Sequence, residues 1–218
     1  MKSGLKKPST DLASKILEAY KEILLTEGQK PTSVFKFTKS LGISETDFYQ
    51  HFSSFTAIEK GIWKKLMEQT LTSVMAEDVY PSYSVREKLL AFYFTWIETL
   101  KANRSYVLMV WGKTRRNEWL PTEVQALKDA FKNYAQELVA EGYEKGELYN
   151  RPLVSDRYVD ALWIQFGHIS GFWVKDESTG FENTDALIEK SVNLGADLMG
   201  TTTLDSALDL AKFLWKNR

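Results

Sequence analysis

The chain has 218 residues, enough for one large domain or for a small domain packed on a larger one. Its net charge is −1, and 26% of its residues are charged against 44% hydrophobic. That excludes a wholly basic nucleic-acid coat protein and fits an ordinary globular chain. The absence of cysteine excludes disulfides, thiol nucleophiles and thiolate metal sites, and fits a cytoplasmic protein.

The predicted elements are all helices, since apolar residues recur three and four apart and no alternating strand stands out. The basic start, MKSGLKK, is followed by no apolar run, so no signal peptide and no membrane partner are expected. Ser9 or Thr10 caps a first helix that carries Ile16, Leu17, Tyr20, Ile23 and Leu24 and ends at Gly28. Pro31, Thr32 and Ser33 open a short second helix ending near Leu41 and Gly42. Ser44 opens a third, ending near His51.

Ser53 and Ser54 cap a long fourth helix with Phe55, Ile58, Ile62, Leu66 and Val74 on one stripe. A fifth follows Pro81 and Ser84, with Leu89, Tyr93, Trp96, Ile97 and Leu100. A sixth spans Asn103 to Gly112. The seventh opens at Pro121 and Thr122 and runs in one piece through Val124, Leu127, Phe131, Tyr134, Leu138 and Val139. The eighth runs from Ser155 to Lys175, the ninth starts at Asn183 or Thr184, and a last one spans 203–217. Arg115 and Arg116 read as a solvated loop pair. No linker interrupts the chain, so the fourth helix is expected to join an N-terminal unit, residues 1–53, to a larger body, residues 54–218.

Residues 1–70 hold eleven lysines and eight acids, a balance of +3, which leaves −4 for the rest. The stretch from Gly42 to Phe52, GISETDFYQHF, combines a turn glycine, a buried aliphatic and an N-cap serine, which are the parts of a helix-turn-helix. Val34, Phe37 and Leu41 supply the inner face of its first helix, and Ile43, Phe48 and Phe52 lock the second against it.

On these residues the chain resembles the TetR family of bacterial transcriptional regulators. The matches are Ile16 and Gly28 around the first helix, Thr32, Ser33 and Val34 opening the second, and Leu41 to Ser44 at the turn. They continue through Phe48, Tyr49, Gln50, His51 and Phe52 to Ser54 and Ile58. The resemblance implies an all-α fold, double-stranded DNA as partner, a homodimer, a small apolar or aromatic effector and no cofactor. It implies phosphate contacts by Thr32 or Ser33, Tyr49 and His51. Ser44, Glu45 and Thr46, with Asp47 beside them, would face base edges, and Lys36 and Lys39 would add attraction to the backbone.

The body is rich in aromatic side chains. Tyr93, Trp96, Met109, Phe131, Tyr134, Trp163 and Phe166 are expected to line an effector pocket, against the plainer reading of a filled core. Tyr106 and Trp111 belong to the same surplus. The resemblance also implies a dimer face built from Gly167, Gly171, Leu187, Ser191, Gly195 and Leu198. His168 reads as a hydrogen-bonded core residue rather than a metal ligand. No nucleophile elbow, phosphate loop or zinc motif is present, so no enzyme and no metal site are expected. The expected function is repression of transcription, relieved by the effector. The alternative is a ligand- or lipid-binding protein on the same fold that no longer reads DNA, as some lipid-binding proteins of quinone biosynthesis do. Glu45, Asp47 and Phe55, which stands where the family usually has lysine, favour that alternative, as does the lack of arginine before Arg86.

Overall fold

The computed structural model describes residues 10–114, 118–151 and 154–200. Arg115, Arg116 and the expected last helix over 203–217 lie outside them. Among the described residues there are ten α-helices and no strand. They are α1 (Thr10–Glu27), α2 (Val34–Leu41), α3 (Glu45–His51), α4 (Phe55–Met75), α5 (Val85–Ala102), α6 (Arg104–Trp111), α7 (Thr122–Gln125), α8 (Lys128–Glu144), α9 (Tyr158–Lys175) and α10 (Glu182–Met199).

The caps explain most boundaries. Ser33, Ser44, Ser54 and Ser84 each accept the backbone N–H three residues on, opening α2, α3, α4 and α5. Gly42 closes α2 at φ 67°, a left-handed conformation that a side chain would strain. One expectation is corrected: the helix opened by Pro121 is not continuous. The Leu127 N–H bonds back to the Val124 carbonyl, a tight three-residue step, and α8 then begins at Lys128. Val124 and Leu127 are fully buried on either side of this break, so packing fixes the kink.

The α1–α3 head closes on α4. Tyr20, Phe37 and Phe48 cluster with Phe55, at ring-centroid separations of 5.5, 5.6 and 6.1 Å from it. Phe55 thus completes the head's core from beyond the expected boundary at 53/54. Next to it the Tyr20 hydroxyl donates to Glu59 at 2.9 Å, and Lys30 reaches the same buried carboxylate at 2.7 Å. The body packs α4 and α5 together, sets α8 and α9 across α5, and lays α10 against α5 and α9. Arg151, buried, holds the C-terminus of α10 by donating to the carbonyls of Leu198 and Gly200 and to the Tyr158 hydroxyl.

Candidate nucleic-acid interface and effector cleft

The third helix is short, so its start has to be fixed locally. Ser44 Oγ accepts the Asp47 N–H at 3.0 Å, while the Asp47 carboxylate accepts the Ser44 N–H at 3.1 Å and the Ser44 hydroxyl at 2.6 Å. This is a reciprocal capping box. These bonds hold the Asp47 carboxyl below its usual range, against a smaller upward push from burial. Asp47 therefore faces the helix cap, where the Ser44 N–H and hydroxyl both donate to its carboxylate. Phe48 is buried beneath the helix.

The outward residues of α3 are Glu45, Thr46, Tyr49 and Gln50, with Ser44 exposed at its start. Tyr49 is 54% exposed and stands edge-on to the buried Phe48 at 5.2 Å. His51 is half-buried. On α2, Thr32, Lys36 and Lys39 are exposed, and Ser33 is half-buried with its hydroxyl engaged at the cap. Phe35 is 61% exposed on the same helix. Sequence reasoning missed it, although a phenylalanine off the Val34, Phe37 and Leu41 stripe was the available signal.

In the body, six of the seven expected pocket residues are buried, and Met109 is half-buried at the edge. The rings fill space by packing on one another. Phe131 and Phe166 lie 4.7 Å apart, Trp96 and Phe166 5.3 Å, and Trp163 stacks on Phe166 at 5.4 Å. Phe92, which sequence reasoning placed in no pocket, lies against Tyr134 at 5.0 Å. The Trp96 indole donates to Ser170 at 3.0 Å, and Tyr93 donates to Gln165 at 3.1 Å. Burial holds the Tyr93 hydroxyl neutral, well above the usual tyrosine range.

Open space lies instead on either side of an outward ridge on α9. Ile164, His168 and Phe172 are four apart and exposed. His168 is therefore a surface residue and not the expected core histidine, because its position falls on this ridge. One cleft, about 600 Å³, is walled by Trp111, Trp119 and Phe172 and floored by Gly167 and Gly171. A Cβ at Gly167 would overlap the Trp119 ring, so that glycine serves packing within the chain. The other cleft, about 510 Å³ and almost wholly apolar, runs between α9 and α10 past Ser191, Leu194, Gly195 and Leu198. Leu187 is half-buried against the core. Among the described residues no three His, Asp or Glu side chains gather as a metal site, and no helix is long and apolar enough to cross a membrane.

No curated protein matches the chain. Solved structures do. The fold is similar to that of a candidate TetR-family transcriptional regulator from Syntrophomonas wolfei, with a TM-score of 0.65 at 15% identity over 90% of this chain and 100% of that one. A second candidate regulator of this kind, from Rhodococcus sp., gives 0.63 at 15% over 86% and 99%. The fatty acid degradation regulator FadR of Bacillus halodurans gives 0.60 at 17% over 88% and 96%. The family model for the tetracyclin repressor-like C-terminal domain matches residues 88–214, more than half of the chain. The head, the body and this match agree, and the chain belongs to the TetR family of transcriptional regulators.

Proposed function

We propose that the protein is a homodimeric repressor that binds a pseudo-palindromic operator and is released by a small apolar or aromatic effector. The observation that carries this is the capped recognition helix. Asp47 is turned back into the cap, which leaves Glu45, Thr46, Tyr49 and Gln50 as an outward face. Thr32, Ser33, Lys36, Tyr49 and His51 would contact phosphates, and Ser44, Glu45 and Thr46 would meet base edges in the major groove. Two such heads must stand about 34–36 Å apart to enter successive grooves.

The dimer would form on the α9–α10 face, where Ile164, Leu194 and Leu198 are exposed beside Ser191 and Gly195. An isologous contact there would cover an otherwise wet apolar groove. Effector binding in the body would favour a conformation whose head spacing no longer fits DNA.

The deciding experiment is binding to DNA from around the protein's own gene across a salt series. Specific binding that falls steeply with salt and weakens roughly tenfold in Tyr49→Ala supports the reading. A dimer that binds no specific DNA even at low salt supports the second reading, a ligand-binding protein without DNA. Glu45 favours that second reading, because it is an exposed acid on a third helix that carries no lysine or arginine.

A further inference from the structure

The head's outward side carries one large side chain that neither its packing nor the phosphate contacts use. Phe35 is the second residue of α2 and is 61% exposed, whereas Phe37 and Phe48 are buried. Successive helix positions stand about 100° apart, so Phe35 points about 160° away from Phe37, whose ring packs on Phe48 and Phe55. It has no place in the core that those rings build. A lone exposed apolar side chain is ordinary on a protein surface, so its surroundings have to decide what it does.

Those surroundings are basic. Residues 28–44 hold three lysines and no acid. Glu59 takes Lys30. Lys36 follows Phe35 directly, and Lys39 stands one turn further along the same side of α2. Both are exposed, and neither meets a carboxylate among the described residues. A phenyl ring between two such ammonium groups suits a partner that is anionic yet offers apolar surface. Duplex DNA is one: phosphates line its major groove, and the thymine C5-methyl projects into it. The outward residues at the start of α3, Ser44, Glu45 and Thr46, offer no apolar group of comparable size to that methyl. In the proposed complex Thr32 or Ser33 would hold a phosphate at the start of α2, within one turn of Phe35, which sets the ring at the edge of the groove.

We propose that Phe35 is a specificity-determining residue: its ring packs on the C5-methyl of one thymine in each half-site, so the operator needs that thymine for its methyl group. This deepens the regulator reading and rests on it.

The test uses the full chain and DNA from around its own gene. Footprinting defines the site, and synthetic duplexes then replace each thymine in turn, in both half-sites, by deoxyuridine, which lacks only the methyl. One such replacement should weaken wild-type binding roughly fourfold per half-site, the worth of one buried methyl. Phe35→Gln should bind the thymine duplex more weakly by about the same factor and show no further loss with uridine. Phe35→Leu, still apolar, should keep part of the uridine penalty. All three proteins should unfold at the same denaturant concentration, since the ring lies outside the core. Specific binding that ignores every uridine replacement would overturn the assignment and leave the regulator standing, even if Phe35→Gln weakened all duplexes alike, because the ring would then lie on sugar. A uridine penalty undiminished in Phe35→Gln would overturn it in the same way. Absence of any specific binding would instead remove the regulator reading, and this assignment with it.

Discussion

Single residues in this protein do work that their type does not announce. Asp47 reads from the sequence as a repulsive acid on a DNA-facing helix, yet it closes the capping box with Ser44. Replacing Ser44 with alanine should cost about 1 kcal/mol of stability, measured by chemical unfolding. Tyr49 should behave differently. Tyr49→Ala should leave stability nearly unchanged while weakening DNA binding roughly tenfold, as the loss of a charge-assisted phosphate bond would. Asp176 contributes to the protein's acid response. Burial pushes its carboxyl up, but hydrogen bonds from Thr184 and Ser178 win and bring it to about 2. An unfolded aspartate titrates near 3.9, so the folded value is depressed and the stabilisation is complete above the unfolded value. It is lost as pH falls from about 4 through 2. Melting curves at pH 7 and pH 3 should differ less in Asp176→Asn than in the wild type.

At the scale of elements, what the sequence made legible was punctuation. Ser33, Gly42, Ser44, Ser54 and Ser84 mark real helix ends because a cap is a local interaction, readable within four residues. The break between α7 and α8 was not legible. Val124, Leu127 and Phe131 keep helical spacing across it, and only the tertiary burial of Val124 and Leu127 selects the kink. The exposed face of α9 was hidden for a related reason. Ile164 and Phe172 look like core residues until the neighbouring helices are placed. Gly42→Ala is the clearest test of the turn. With φ at 67°, the added Cβ should cost about 1 kcal/mol even though open space surrounds it.

For the molecule as a whole, the aromatic side chains of the body supply cohesion by packing on one another. Phe166 touches Phe92, Trp96, Phe131 and Trp163, and Phe166→Ala should cost about 3–5 kcal/mol and lower the melting temperature sharply. Composition alone could not separate a filled core from a lined cavity, since the same rings serve either until their mutual distances are known. The α9–α10 face is where a second copy is expected. Leu194→Glu should therefore yield a monomer by sedimentation and abolish operator binding, although the head is untouched.

Glu59 makes the N-terminal turn of α4 part of the head, because Tyr20 and Lys30 both close on its carboxylate. The head therefore cannot pivot freely at residue 54. It travels with the rod to which it is fastened. A helix of 21 residues is about 31 Å long, so tilting α4 by about 5° at its body end would carry the head about 3 Å sideways. In the proposed dimer, two heads swinging in opposite senses would change their separation by about 5 Å, more than twice the roughly 2 Å of clearance that a recognition helix of about 10 Å diameter has in a 12 Å groove. If the protein reads DNA as proposed, a small tilt of α4, with no unfolding and no rearrangement inside the head, would be enough to put two such heads out of step with the double helix.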